Sequence, residues 1–461
     1  MTSITDGLYL AQRALYAQQF GLEVTQQNVS NVNTPGYSKE RADFAPGDLT
    51  SEGIGSGIGA ISVDSFRNKF IDVRVNQELQ GQGEHDAVLA ALQQVEAVLN
   101  GNGGQDLQGA LSDFFNSFSA LSAKPDDLAL RQDVISKGTA LAEEFNRAYN
   151  TIQGVQSAQD GEIADTANEI NTLTDGIAQL NARVGRLQGS GTQDEALAVD
   201  QRQKLLDQLS SLIDISYFES ESGQYTVTTK QGALLVAGNQ SQQLQTSSTG
   251  SLLRVEVGGA DITSRIQSGK LGGLLKTRDT LISGYLQTLD NMAATLISRV
   301  NAQHALGDDY GGQPGGSFFV PFTQPAPGSN AGAARTMAMA ISDPKAIAAA
   351  ASGAGPGDNT NALVLAGIKD ETIFAAGATA NQAYANLIDT VGNDERKADD
   401  LSQTQTQILT QLQNQRDSFS GVNLDEEATD IIRYQKAYQA SARFVQVLNT
   451  LSDEIINILG Y

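Results

Sequence analysis

Residues 4–32 read ITDGLYLAQRALYAQQFGLEVTQQNVSNV, and within them Ile4, Leu8, Ala11, Leu15, Gln18, Leu22, Thr25, Val29 and Val32 recur at alternating steps of four and three. That spacing keeps one side of an α-helix turned toward a partner, so the segment is expected to be a helix built for helix–helix packing. At the opposite end Ile431, Tyr434, Tyr438, Ser441, Val445, Leu448, Ser452, Ile455 and Leu459 repeat the pattern, with Ile432, Ala442, Leu451, Ile456 and Ile458 widening the stripe. Helices of this kind are marginal alone, because their stability depends on burying the apolar face. The two ends are therefore expected to pair with each other or with a neighbour.

Both helices carry boundary signals. The first is expected to stop at Asn33-Thr34-Pro35-Gly36-Tyr37, where Pro35 disfavours helix at Thr34 and Gly36 permits a turn. The last is expected to start near Leu424: Asn423 followed by Glu426 reads as a capping box, and Asp425 and Glu427 suit a helix N-terminus.

Between the ends, amphipathic periods over 84–99, 107–121, 128–150, 163–188, 194–213, 270–305 and 381–419 predict an elongated helical bundle. Residues 214–263 break the helical period with ISYFES, YTVTTK, GALLVAG and LLRVEV, and are read as a small β-rich unit. Residues 306–375 are expected to hold loops and a few short strands. The fold class is mainly α with a small β domain, in three parts: 1–60 plus 415–461 as the terminal helical coiled-coil unit, 61–213 plus 264–414 as the elongated helical domain, and 214–263 as the β-rich insertion.

Composition narrows the function classes. Fifty-three acidic against 30 basic residues leave a net charge of -23, a field that repels nucleic acid and anionic membrane surfaces. With no cysteine, thiolate nucleophiles, disulfides and Cys-ligated zinc are excluded, and His85 and His304 are the only imidazoles. The first twenty residues lack the basic start and compact apolar run of a cleaved signal peptide, and no stretch of about 18 apolar residues exists to span a membrane.

No chemical constellation stands out. Gly53, Gly55, Gly57 and Gly59 resemble a phosphate loop only superficially, since the following ISVDSF reads as a strand where a helix N-terminus is needed. The pairs Asp126/Asp127, Glu143/Glu144, Asp399/Asp400 and Glu426/Glu427 are adjacent, so on a helix their side chains diverge, whereas glycoside hydrolysis needs two carboxyls converging on a cleft. Neither histidine has a second one at i+4, and His304 is expected to act as a cation or hydrogen-bond donor near a helix C-terminus. No GxSxG elbow occurs. No catalytic, cofactor-binding or metal-binding residue is therefore expected.

Residues 28–44, NVSNVNTPGYSKERADF, resemble the segment shared by rod, hook and hook-associated proteins of the bacterial flagellum, through Asn28, Asn31, Asn33, Thr34, Pro35, Gly36 and Tyr37. Residues 420–451, SGVNLDEEATDIIRYQKAYQASARFVQVLNTL, resemble that family's C-terminal partner segment, including Gly421, Asn423, Leu424, Asp425, Glu426 and Glu427. Within the chain, SGKLGGLLKTRD (268–279), LDNMAATLISRVNAQHALGDDYGG (289–312) and GDNTNALVLAGI (357–368) are similar to internal segments of its hook–filament junction members.

The resemblance implies a structural subunit of an axial assembly, with Ile4, Leu8, Leu15, Leu22, Val29, Ile431, Tyr434, Tyr438, Val445, Leu448, Ile455 and Leu459 at the assembly interface. It implies further copies of the chain in a ring or helical layer, the hook protein and a second junction protein as axial partners, and a cytoplasmic export chaperone. Export would run through the flagellar type III apparatus without a cleaved signal, to an extracellular position. A second junction protein or flagellin, a secreted coiled-coil adhesin, and a glycan hydrolase carried in an axial protein are the alternatives.

Overall fold

The computed structural model describes residues 2–34, 36–47, 57–99, 106–248 and 252–459. Helix α1 (Thr2–Ser30) runs from the N-terminus to the motif turn, where Thr34 Oγ1 bonds Asn31 Oδ1 at 3.1 Å and Gly36 takes a φ of 82°. Pro35 lies outside the described residues. An antiparallel hairpin follows, β1 (Glu40–Pro46) against β2 (Ile58–Ser65), and packs on α1 through Val24, Ala42, Val63 and Phe44. The ISVDSF stretch forms a strand, as its alternation predicts; Gly53, Ile54, Gly55 and Ser56 lie outside the described residues.

The chain then enters α2 (Lys69–Leu99), α3 (Leu107–Ala123), α4 (Leu128–Leu187) and α5 (Gln193–Leu212). Helix α2 starts fifteen residues before the sequence period does. Its first half buries only two apolar side chains, Ile71 and Val75, against Leu409 and Leu412 of α10 (Ala380–Ser420), a stripe too sparse to register as a period. Gly81 and Gly83 interrupt the sequence pattern as well, and Gly83 has a packing reason: a Cβ there would sit 2.0 Å from Ser211 O and 2.9 Å from Lys270 N.

Two segments expected as separate helices, 128–150 and 163–188, are one 60-residue helix, α4. Its buried line continues through Ile152, Gln159 and Ile163, so no turn is required between them. At its start Asp127 accepts from Ala129 N at 2.8 Å, so the Asp126/Asp127 pair supplies a helix cap. Asp127→Ala is expected to cost about 1 kcal/mol, read as a lower melting temperature of the intact chain.

Seven short strands follow in two antiparallel sheets: β3 (Ile215–Glu219), β4 (Tyr225–Thr229), β5 (Leu234–Ala237) and β6 (Gln240–Ser241) in order, then β7 (Leu244–Ser248), β8 (Leu253–Val257) and β9 (Ala260–Asp261). The strands do not close a core of their own. Val227, Leu235, Val236 and Val255 join Ile163, Ile170 and Ile177 of α4, Leu206 and Leu209 of α5, and Leu271 and Leu274 of α6 (Gly269–Lys276). The strands thus share one core with the second half of α4.

A second core lies on the other half of α4. It gathers α3, α7 (Ser283–His304), α9 (Thr360–Gly367) and the start of α10 around Phe114, Phe118, Phe318 and Phe319. One π turn (Thr277–Ile282) joins α6 to α7 at the boundary of the two cores. There the buried Arg278 guanidinium meets Asp160 of α4 at 2.6 Å and the Leu253 carbonyl at 2.7 Å.

The 306–375 stretch is mostly loop, as expected, with β10 (Gly307–Asp308) paired to β11 (Ala350–Ala351); α8 (Ala333–Thr336) and α9 are helices its glycine content concealed. His304 is buried, accepts from Ala348 N at Nε2 and donates from Nδ1 to Gly316 O at 2.7 Å. Burial lowers its pKa, so it is a neutral donor and not the helix-end cation. After α10, a sharp turn at Gly421 starts α11 (Leu424–Leu459), which returns along α1.

Candidate assembly site

Helices α1 and α11 meet along a line of small residues. Gly7 faces Leu448 and Gly21 faces the Tyr434 ring, where a Cβ would stand 3.2 Å and 2.6 Å from the nearest side-chain atom. Ala11, Ala17, Val24 and Asn28 continue that line at steps of three to seven and are buried. The large aliphatic residues flank it: Ile4, Leu8, Leu15 and Leu22 are half-buried, and Val29 is exposed. On α11, Tyr434 and Leu448 are buried, Ile431, Val445 and Ile455 are half-buried, and Tyr438 is exposed. The side chain of Leu459 lies outside the described residues.

Reading heptads from large residues thus displaced the centre of contact on α1 by about one residue. Glycine and alanine carry no hydrophobic signal, yet they set how close the helix axes come. The signal that could have found them is the Gly7, Ala14, Gly21 and Asn28 repeat at intervals of seven.

Away from this seam the pair leaves apolar surface uncovered. Phe444, Val447, Ile456 and Ile458 of α11 are each at least 50% exposed, as are Tyr9 and Tyr16 of α1. Phe444, Val447, Leu451 and Ile458 fall at helical steps of three, four and seven, a single ridge. Tyr9 and Tyr16 border an open groove of about 580 Å³ whose far wall is Ile58 and Ile61 of the hairpin.

At the other end of the pair, the two terminal motifs meet the body in a buried polar joint. Asn28 is its hub: Nδ2 donates to Glu40 O at 2.7 Å and to Glu427 Oε2 at 3.0 Å, while Oδ1 accepts from Glu40 N and from the Tyr37 hydroxyl, both at 2.9 Å. Lys39 pairs with Glu426 and, at 3.5 Å, with Glu427, and its N–H donates to Ser420 O at 2.7 Å. Ser38 N donates to Asp200 Oδ2 of α5 at 2.9 Å. Arg67, between β2 and α2, bridges Asp200 at 3.4 Å and Asp72 at 3.2 Å.

The capping box expected at Asn423 is half present. Asn423 Oδ1 accepts from Asp425 N at 3.0 Å, but Glu426 turns to Lys39, because an ion pair is available there. Leu424 is exposed and Gly421 N closes α10 on Asp417 O.

Burial raises the Asp200 and Asp72 carboxyls against the opposing pull of Arg67, and pushes Glu40 up to about 7 with help from the Asp200 charge. The Tyr37 hydroxyl is raised by burial and by Glu40, Asp200 and Glu427. Burial works against the Lys39 ammonium, but its bonds to Glu426 and Glu427 outweigh that and raise its pKa. Sequence reasoning singled out Asn28, Tyr37, Glu426 and Glu427 as motif members and missed Glu40, Arg67, Asp72 and Asp200. Nothing local marks Asp200, which sits mid-helix and reaches the motif only through the fold.

Among the described residues no group of three or more His, Asp or Glu is arranged to hold a metal ion, and no helix is long and apolar enough to cross a membrane. Elsewhere Glu144 pairs with Arg147, and Asp399 accepts from Gln403 on its own helix.

Three family models match stretches of the chain. Residues 92–319 match the family model described as the flagellar hook-associated protein FlgK helical domain. Residues 8–37 match the flagella basal body rod protein model, and residues 413–458 match the flagellar basal body rod FlgEFG protein C-terminal model. The flagellar hook-associated protein 1 of Bacillus subtilis (strain 168) is 32% identical over 506 residues, covering 100% of this chain and 99% of the relative. Its namesake from Salmonella typhimurium is 25% identical over 97% of this chain and 99% of the relative. In fold, the flagellar hook junction protein FlgK from Burkholderia pseudomallei superposes with a TM-score of 0.67 at 18% identity, covering 75% of this chain and all of that one.

Proposed function

This chain belongs to the flagellar hook-associated protein 1 family, and from that premise we propose how it serves as a structural subunit at the hook–filament junction. The paired ends, 1–60 with 415–461, are the assembly unit, and the two-core body is carried outside them. The observation that supports this is the uneven cover of the terminal pair: α1 and α11 meet along one line, while Phe444, Val447, Leu451 and Ile458 stay exposed beside it along α11. An exposed apolar ridge of that length costs free energy in a free subunit and is recovered by a partner.

In this reading the ridge and its flanking residues, Ile4, Leu8, Leu15, Leu22, Val29, Ile431, Tyr438, Val445 and Ile455, contact further copies of the chain in a ring or helical layer. Hook protein lies below and a second junction protein above. The same ridge needs a cytoplasmic chaperone before export through the flagellar type III apparatus. The role is structural and uses no cofactor.

The triple substitution Phe444→Ser, Val447→Ser, Leu451→Ser tests it. Because these side chains are already solvated, the chain should melt within about 1 kcal/mol of wild type. In a strain lacking the native gene it should leave hooks without filaments, counted by electron microscopy. Filaments at wild-type frequency would overturn the ridge as the assembly surface.

A further inference from the structure

We propose that Glu40 is a proton-operated latch in the joint between the terminal pair and the body: with its carboxyl protonated the joint is closed, and ionisation loosens it. Two cations serve the joint, and each is already shared between two carboxylates: Lys39 between Glu426 and Glu427, Arg67 between Asp72 and Asp200. Glu40 is the fifth carboxyl and enters none of the described ion pairs. It is 3% exposed, and its Oε2 has no hydrogen-bond partner.

Burial and the nearby Asp200 charge weigh against its ionisation. Helix α5 presents Asp200; α11 presents Glu427; the motif turn presents the Tyr37 hydroxyl, whose pKa the Glu40 charge helps raise; α1 presents neutral Asn28. An ionised Glu40 would be an unpaired buried charge among like charges, which proteins avoid by keeping the group neutral. A protonated one has an O–H to offer, and Asp200 Oδ1, buried and held by the 3.4 Å ion pair with Arg67, still lacks a hydrogen-bond donor.

The position makes protonation consequential. Glu40 N–H is held by Asn28, its neighbour Lys39 is held by Ser420 O and Glu426, and Ser38 is held by Asp200. These bonds join α1, α10, α11 and α5. Loosening at Glu40 therefore frees the seat of the whole terminal pair.

The sign follows from the displaced titration. Glu40 titrates near 7 in the closed joint and near its ordinary 4.5 once the joint opens. Closure is fully supported below 4.5, weakens as pH rises toward about 7, and is level above that. Asp72 and Asp200 are also raised, but each faces Arg67.

Hydrogen exchange on the full-length protein tests this at the Ser38, Lys39 and Glu40 amides, after correction for base catalysis of exchange itself. From pH 6 to pH 8 the opening constant should rise about tenfold in wild type, and Glu40→Gln, neutral and of the same shape, should stay flat. A flat wild type, or an equal rise in E40Q, would overturn the proposal. Should E40Q fail to fold, the carboxyl carbon shift of Glu40 in wild type decides: a midpoint near 7 supports the latch, and one between 4 and 5 removes it.

Discussion

Asn28→Ala should open the joint between the terminal helices and the body, at a cost of about 3–5 kcal/mol. The side chain makes four hydrogen bonds in a buried setting, two given and two received. Alanine leaves the Glu40 N–H without an acceptor, roughly 1–3 kcal/mol, and removes a donor from a carboxylate, roughly 1.5–3 kcal/mol. That carboxylate, Glu427, is 1% exposed and keeps only Lys39, at 3.5 Å.

Asn28→Asp should be no milder, despite its matching shape. Aspartate keeps the acceptor for Tyr37 and Glu40 N–H but gives up both donor bonds, and it adds a charge beside Glu427 and Glu40. Hydrogen exchange is the measurement that separates a local from a global effect. In both variants the amides of Ser38, Lys39 and Glu40 should lose protection while those of α3 and α7, in a separate core, keep it. Wild-type protection at Lys39 in N28A would show that the joint does not depend on Asn28.

The architecture was legible in the sequence wherever a helix buries a broad stripe. The ends of α1, α5, α10 and α11 fall within two residues of where their periods predict, because each carries large apolar side chains at regular steps. The first half of α2 and the middle of α4 were not legible, for a physical reason: those stretches are helical because their neighbours are, and they bury few apolar side chains of their own. Ile71 and Val75, with Leu79 partly buried beside them, are the apolar side chains that meet α10 across the start of α2.

The joint divides in the same way. Asn28, Tyr37, Glu426 and Glu427 were visible as motif letters, but their chemistry was not, since each acts through a residue far off in sequence. Glu427 meets Asn28 across 399 positions. Asp200 and Arg67, which complete the ion pairing, come from segments with no motif at all. Sequence pattern reports which side chains share a face of one element, and the joint is made between six: α1, β1, α2, α5, α10 and α11.

Gly21→Leu should disrupt the pairing of α1 with α11, by about 3 kcal/mol or more where overpacking cannot relax. The reason lies in what surrounds the obstacle. A Cβ at position 21 would meet Tyr434 at three ring atoms, 2.6, 2.7 and 2.8 Å away. The ring has little freedom to retreat: Phe44 of the hairpin meets it edge-on at 6.3 Å, and the Arg433 guanidinium sits 4.9 Å from its centroid. Separating the helices instead would break the contact of Gly7 with Leu448 as well.

Gly7 supplies the contrast that makes the prediction specific. Both glycines lie inside α1, where alanine is favoured over glycine by about 1 kcal/mol in an exposed helix. At Gly7 the nearest atom to a new Cβ is a terminal methyl of Leu448, 3.2 Å away, and a leucine can rotate aside. Gly7→Ala is therefore expected to be neutral or mildly stabilising, whereas at Gly21 the clash exceeds the helix gain and even Gly21→Ala should destabilise. A double-mutant cycle locates the cause. Trimming Tyr434 to leucine should restore part of the stability lost in Gly21→Ala, giving a coupling of about 1–2 kcal/mol. Strict additivity of the two changes would mean that the ring is not what holds Gly21 to glycine.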